Sequence, residues 1–290
     1  MVDDNISFLA SEYDPASKED ALFHIFPVPL EKSVSYGSGT RLGPHAILSA
    51  SEQLEAHENF QRPGLNGIYT APMRDCSSDI QTILDAVAAD VANTILAKKY
   101  PILLGGEHTV TLGALRAFAD TKICSKPGLV QFDAHADLRP EYEGNPYSHA
   151  SVMYRAVADL GFQLVQFGIR EYSLDEITYQ KKFNVLAHTA NDLADFGWPE
   201  PILPADFPDD IYITFDVDGF DASLMPATGT PSPGGFFWQE VRQILTKLSR
   251  IRRIVGFDVV ELAPMPALAS CDFTAAKLVH LLMSLIVSSR

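Results

Sequence analysis

The sequence predicts an α/β fold in which a mainly parallel sheet lies between two layers of helices, with residues 1–290 forming a single domain. Short apolar runs alternate along the chain with segments whose apolar residues recur at helical spacing. Four of the apolar runs end in acidic or histidine residues and lead through a loop into a helix. Because parallel strands bring their carboxyl ends to one edge of a sheet, a shared site is expected there.

The elements follow from these patterns in chain order. Buried strands are predicted at 26–30, 100–104, 128–132, 164–168, 211–215 and 254–260. Helices are predicted at 44–57, where Pro44 suits the first turn, and at 78–98, 109–120, 238–249 and 273–288, with a further helical pattern after Ser151. A long loop rich in Gly, Pro, Ser and Thr spans 219–235, and loops of this length in compact domains are usually functional or disordered.

Composition restricts the possible partners. The net charge of −15 argues against nucleic acid, which requires a basic surface, and mildly favours a cationic small molecule. The N-terminus lacks the pattern of a secretory signal, and the apolar run at 278–287 is shorter than a membrane span, so we expect a buried helix there and no membrane association. Three widely spaced cysteines indicate reduced thiols and a cytoplasmic protein.

Three candidate metal ligands alternate immediately after the strand at 128–132. Asp133, His135 and Asp137 occupy every second position, and in extended backbone such residues point to one side. Two carboxylates held this close repel each other unless a cation neutralises them. The alternative is a solvated loop, but strict alternation after an apolar strand favours a divalent-metal site.

Other strand ends supply further ligands. His108 follows the strand at 100–104, and Asp216 and Asp218 follow the strand at 211–215. Four carboxylates and two imidazoles exceed the three protein ligands of an open catalytic zinc, and they suit two neighbouring ions. The oxygen-rich set without thiols favours Mn²⁺, Mg²⁺ or Co²⁺. Paired cations activate water, so the predicted chemistry is metal-assisted hydrolysis.

Several short segments together resemble the signature of the ureohydrolase (arginase/agmatinase) family. They occur in family order over nearly the whole chain, from about residue 26 onward: Gly39-Thr40-Arg41-Leu42-Gly43-Pro44, Gly105-Gly106-Glu107-His108, Phe132-Asp133-Ala134-His135-Ala136-Asp137, Ser148-His149-Ala150, Phe215-Asp216-Val217-Asp218-Gly219-Phe220-Asp221, Gly229-Thr230-Pro231-Ser232-Pro233-Gly234-Gly235 and Gly256-Phe257-Asp258-Val259-Val260-Glu261. The resemblance implies an arginase-like fold and a homotrimer or homohexamer.

The resemblance also implies two Mn²⁺ per chain and hydrolysis of a guanidinium group to urea and an amine. One ion would be held by His108, Asp133, Asp137 and Asp216, and the other by His135 and Asp218 with Asp133 and Asp216 bridging. His149 matches the family's active-site histidine, expected to protonate the leaving amine. Glu261 matches the carboxylate that binds the guanidinium, which suits a cation with forked N–H donors.

The resemblance is greatest to bacterial agmatinases, which implies agmatine as substrate, putrescine as product and a role in polyamine biosynthesis. Leu138-Arg139 stand where arginases usually carry an asparagine that contacts the substrate carboxylate, and Ser173 stands where they carry a second aspartate. Another guanidino-compound ureohydrolase (guanidinobutyrase, guanidinopropionase or arginase) stays open, because Arg139 or Arg170 could meet a carboxylate. Two other classes also stay open: a non-catalytic relative that binds metal or a polyamine, and a deacetylase that holds one zinc ion.

Overall fold

Eight parallel strands form one sheet in the computed structural model, which describes residues 6–59, 61–120 and 122–289. The strands are β1 Phe23–Val28, β2 Ile68–Thr70, β3 Tyr100–Gly105, β4 Gly128–Phe132, β5 Leu164–Ile169, β6 Leu186–Thr189, β7 Asp210–Asp216 and β8 Arg253–Val260. Their order across the sheet is β2-β1-β3-β8-β7-β4-β5-β6, and each pairing is parallel. The predicted α/β class with a parallel sheet is confirmed.

Helices cover both faces of the sheet and complete three layers. They are α1 Gly43–Ser51, α2 Ile80–Leu96, α3 Val110–Ala119, α4 Val152–Tyr154, α5 Leu174–Phe183, α6 Ala190–Phe196, α7 Trp238–Ile251 and α8 Ala269–Ser288. Apolar residues of α1, α7 and α8 pack in one core cluster, and those of α2, α3 and α4 pack in a second cluster on the opposite face. The strands are consequently buried on both sides, which explains their nearly continuous apolar sequences.

The sequence patterns missed the least buried elements. Strands β2 and β6 are short edge strands, and β6 has no buried residue. Helix α5 lacks a strong apolar stripe, although a capping box formed by Ser173 and Glu176 marks its start. Helix α6 has a single buried residue, Ala190. The predicted helix at 44–57 ends earlier, at Ser51.

Helix α8 is long and apolar enough to cross a membrane by length and composition alone. Two thirds of its most apolar window is buried inside the protein, where it packs against α1, α7 and β8. This packing is that of a core helix, in keeping with the expectation for 278–287. The single domain over 1–290 stays a prediction, because residues 1–5, 60, 121 and 290 lie outside the described part.

Candidate metal centre and active site

Four neighbouring strands deliver the candidate site residues to one edge of the sheet. Strands β3, β8, β7 and β4 are adjacent and parallel, so their carboxyl ends lie side by side. His108 follows β3, Asp133 follows β4, Asp216 ends β7 and Glu261 follows β8. Residues up to 153 positions apart in sequence thereby come into direct contact, as in the bond from His108 to Glu261.

A first cluster surrounds the Nδ1 atom of His108. This nitrogen lies 3.2 Å from Oδ2 of Asp133, 3.1 Å from Oδ2 of Asp137 and 3.4 Å from Oδ2 of Asp216. All four side chains are buried, and Nδ1 has no hydrogen-bond partner within the described part of the chain. An unpartnered imidazole nitrogen facing three carboxylates in the interior is the arrangement expected of cation ligands.

A second cluster adjoins the first and shares Asp133. The Nδ1 atom of His135 lies 2.9 Å from Oδ2 of Asp218 and 3.6 Å from Oδ1 of Asp133. One ligand atom from each of these three residues falls within 4.8 Å of the others, and the same holds for His108, Asp133 and Asp216. Two clusters joined through a common carboxylate match the donor pattern of a two-metal site.

The backbone after β4 reaches this arrangement differently from the extended geometry we expected. Asp137 adopts φ 51°, in the left-handed region, and its carbonyl accepts hydrogen bonds from the amides of Met153 and Tyr154. A left-handed conformation is costly for a residue other than glycine and persists where surrounding contacts enforce it. The expectation of an extended 133–137 segment was therefore wrong, although the structure brings all three side chains together.

Electrostatics indicate an excess of negative charge in the cluster. Burial raises the pKa of Asp216 well above its usual range, and the charges of Asp218 and Asp133 add to this effect. Burial opposes charging His135, yet the carboxylates of Asp218 and Asp133 raise its pKa to about 12. Divalent cations bound among these carboxylates would relieve the repulsion and would compete with protons for the same groups.

Buried polar groups support the ligands from behind. Nε2 of His108 donates to Oγ1 of Thr214 (2.8 Å), whose hydroxyl donates to Oδ1 of Asp258 (2.7 Å). The hydroxyl of Tyr212 donates to the other oxygen of Asp258 (2.9 Å). Such a chain directs Nδ1 of His108 toward the carboxylates. None of these three residues was predicted from the sequence to support the site, although an aspartate inside the apolar β8 run is a visible signal.

The two candidate catalytic residues line the same cleft. Glu261 is buried with φ 65°, and its Oε1 accepts a hydrogen bond from the amide of His108 (2.7 Å). Burial raises the pKa of Glu261 well above its usual range, so a bound cation would restore its charge. His149 follows Ser148, whose hydroxyl caps the next turn, and its ring is partly exposed to the cleft.

The cleft has a small inner part and a larger outer part. Asp216, Asp218 and Glu261 line the inner part, whereas the outer cavity of about 420 Å³ contains Glu171, Glu176, Tyr142 and Tyr172. His135, Asp137 and His149 border both parts. A ligand that reaches the metal ligands must therefore pass an outer wall that carries the exposed carboxylate of Glu171 and the guanidinium of Arg139, which lies beside the buried Glu176.

The two arginines near this wall are engaged to different degrees. The guanidinium of Arg170 donates to the backbone carbonyls of Gly168, Asp218, Phe220 and Ser232, which fixes it as a structural group. Arg139 lies over the ring of Tyr142 and 3.6 Å from Glu176.

Comparisons with known proteins identify the family of the chain. The sequence profile of the arginase family matches residues 21–287. The chain is 35% identical to the N(1)-aminopropylagmatine ureohydrolase of Synechocystis sp. over 288 residues, covering 95% of this chain and 92% of the relative. It is 31% identical to the agmatinase of Pyrococcus horikoshii, with 90% of each chain covered.

Solved structures give the same result. The agmatine ureohydrolase of Thermoplasma volcanium superposes with a TM-score of 0.86 and 31% identity, covering 98% of this chain and 95% of that one. The proclavaminate amidino hydrolase of Streptomyces clavuligerus, at 24% identity and a TM-score of 0.87 over 100% and 99% of the two chains, shares the fold. With the profile matching nearly its whole length, the chain belongs to the arginase family of ureohydrolases.

Proposed function

We propose that the protein hydrolyses the guanidinium group of agmatine, a cationic guanidino amine, to urea and putrescine. The observation that carries this proposal is the pair of His/Asp clusters that share Asp133 and open into an acidic cleft beside Glu261. Metal-activated water at such a centre and a carboxylate for the guanidinium are the two components that the reaction requires.

The residues of the two clusters fit two divalent cations, which we infer to be Mn²⁺. Carboxylate and imidazole donors without a thiolate favour manganese over structural zinc, and the unpartnered Nδ1 of His108 supplies a ligand atom already in place. When bound, the ions supply a hydroxide nucleophile at neutral pH. His108, Asp133, Asp137 and Asp216 would hold one ion, and His135 and Asp218 would hold the other together with Asp133 and Asp216.

The remaining chemistry falls to residues of the chain itself. Glu261 accepts the forked N–H donors of the guanidinium and holds its carbon against the clusters, while the low dielectric around this buried carboxylate strengthens the attraction. His149 gives a proton to the nitrogen of the leaving amine, which would otherwise depart as an unstable anion.

The walls of the cleft favour a cationic tail over a carboxylate tail. Arg170 is occupied by four backbone carbonyls, and Arg139 lies beside Glu176. Glu176 is buried and its carboxylate already accepts hydrogen bonds from Leu138 and Ser173, so the exposed carboxylate of Glu171 is the group of the outer cavity that would attract an amino group and repel a substrate carboxylate. This charge pattern argues against arginine, guanidinobutyrate and guanidinopropionate.

N(1)-aminopropylagmatine is a second candidate substrate. Relatives named for this activity are among the similar proteins, at 35% identity for the Synechocystis protein. The outer cavity of about 420 Å³ reaches the exposed side chains of Glu171 and Tyr172, where a second amino group of a longer substrate would find a carboxylate and an aromatic ring.

Urea release from a panel of guanidines tests the proposal. Protein reconstituted with Mn²⁺ should hydrolyse agmatine or N(1)-aminopropylagmatine with kcat/KM roughly 100-fold above the values for arginine and guanidinobutyrate. Preference for a carboxylate-bearing guanidine would contradict the charge argument. Asp137→Ala should abolish turnover of every substrate. The trimeric or hexameric state and the cytoplasmic location stay predictions, of which light scattering tests the first.

A further inference from the structure

The loop after β1 places a serine directly against the ring of His149. Oγ of Ser33 accepts a hydrogen bond from the backbone amide of His149 (2.9 Å) and lies 3.2 Å from Nδ1 of its imidazole. The ring of Tyr142 packs edge-on against the same imidazole at a centroid distance of 5.8 Å. The histidine ring is thus held by a hydroxyl on one side and an aromatic ring on another.

A buried carboxylate stands behind the serine. Glu107 is fully buried, and its Oε2 accepts hydrogen bonds from the backbone amides of Lys32 (2.6 Å) and Ser33 (2.7 Å). Its Oε1 accepts a third bond from the hydroxyl of Ser33 (3.0 Å). The described structure therefore contains a continuous chain from Glu107 through Ser33 to His149, and neither Glu107 nor Ser33 lines the substrate cleft.

The partners decide the direction of each hydrogen bond. Ser33 has one hydroxyl proton, and the carboxylate of Glu107 can only accept, so the hydroxyl donates to Glu107. The two lone pairs of Oγ of Ser33 can then accept hydrogen bonds from the backbone N–H and from Nδ1–H of His149. Nδ1 of His149 must then carry a proton, which leaves Nε2 as the nitrogen that serves the cleft.

We propose that Ser33 and Glu107 are positioning residues that hold His149 in its Nδ1–H form with Nε2 directed at the substrate. This inference rests on the proposed function, in which His149 protonates the leaving amine. The Nε2–H bond of the imidazolium breaks as the N–H bond of the amine forms, and the electron pair of the cleaved C–N bond becomes the lone pair that accepts this proton. The Nδ1–H···Ser33 bond is kept throughout, and solvent returns a proton to Nε2.

Kinetics of Ser33 variants give the first test. Ser33→Ala should lower kcat roughly 10- to 100-fold, because a misoriented His149 loses part of the rate gain from general acid catalysis. KM should stay unchanged, because Ser33 does not line the cleft. Ser33→Thr keeps the hydroxyl and should recover most of the activity. Ser38→Ala changes an exposed serine of the same loop and serves as the matched control.

A double-variant cycle tests whether the two residues act through one path. Glu107→Gln removes the charge but keeps the side-chain shape, and its loss in kcat should not add to that of Ser33→Ala. Additive losses would overturn the relay. The relay would also be overturned if the wild-type protein hydrolyses a guanidine and Ser33→Ala is equally active.

Histidine NMR provides a readout that does not depend on turnover. Long-range ¹H–¹⁵N spectra of the manganese-free protein, with the signal assigned by its loss in His149→Asn, should show the Nδ1–H form in the wild type and a mixture in Ser33→Ala. An Nε2–H form in the wild type, or identical spectra for both proteins, would refute the positioning role. Absence of urea release from every guanidine would instead refute the proposed function, and the NMR result would still decide the orientation of the ring.

Discussion

Replacing Thr214 by valine tests the support behind His108. The hydroxyl of Thr214 is the only link between Nε2 of His108 and the carboxylate of Asp258 among the described hydrogen bonds, and all three side chains are buried. Valine has nearly the same shape but no hydroxyl, so Thr214→Val removes both bonds without opening a cavity. His108 then loses the partner that directs Nδ1 toward Asp133, Asp137 and Asp216.

The size of the effect follows from the two bonds. Removing an outer partner of a metal-bound histidine typically weakens metal binding about 10- to 100-fold, or roughly 1.4–2.7 kcal/mol. The buried N–H of His108 is left unpaired, which costs about 1–3 kcal/mol in the metal-free protein, and Asp258 loses the bond from Thr214 while keeping the one from Tyr212. We therefore expect loss of manganese affinity together with a lower free energy of unfolding.

Calorimetric titration of the metal-free protein with Mn²⁺ measures the first effect, and chemical denaturation measures the second. Thr94→Val is the matched control, because Thr94 is equally buried and its hydroxyl contacts the imidazole of His24 at 3.1 Å, outside the metal clusters. The control should lose stability but keep its manganese affinity. If Thr214→Val binds manganese as tightly as the wild type, the support assigned to Thr214 and Asp258 is wrong.

Three further changes have defined outcomes. Glu261→Gln should lower kcat/KM for agmatine roughly 100-fold or more, because the guanidinium loses its buried anionic partner, and an unchanged value in urea-release assays would contradict its role. Glu171→Gln should reduce kcat/KM for N(1)-aminopropylagmatine roughly 2- to 5-fold more than for agmatine, the modest effect expected of an exposed carboxylate; equal losses would exclude Glu171 as the partner of the second amine. Burial of His280, assisted by the charge of Lys277, lowers its pKa to about 3. Below pH 6.5 the unfolded chain therefore binds a proton at His280 that the folded chain does not, so the free energy of unfolding decreases as the pH falls. In denaturation experiments, the loss of stability between pH 7 and pH 5 should be about 2 kcal/mol smaller in His280→Leu than in the wild type. The same pH dependence in both proteins would refute this assignment.

The sequence predicted the parts of the fold that depend on strongly apolar segments. Strand β4 was predicted with its observed bounds, and β3, β7 and β8 to within one residue at either end, because buried parallel strands have nearly continuous apolar sequences. The edge strand β6 and the polar helix α5 carry little of this signal, since most of their residues face solvent. Their assignment depends on pairing and capping rather than on hydrophobic pattern.

The candidate site was likewise predictable from the sequence only in part. Alternating ligands after a strand made Asp133 and His135 visible in the sequence, but the left-handed turn at Asp137 depends on contacts with α4 and was not predictable from spacing. The contact between Ser33 and His149 joins residues 116 positions apart. Strands β1 and β4 lie four positions apart in the sheet, so the contact forms only because the segments that follow them meet at the carboxyl edge, and no local pattern encodes that proximity.

The central claim is that a binuclear manganese centre in this chain releases urea from a guanidino amine. The most direct measurement determines bound metal and urea release on the same sample, with metal removed by chelation and restored by titration. We predict close to two manganese ions per chain at full activity, loss of urea release on chelation, and recovery in step with manganese occupancy on agmatine or N(1)-aminopropylagmatine. A single retained zinc ion per chain, or no urea from any guanidine at full manganese occupancy, would contradict the claim.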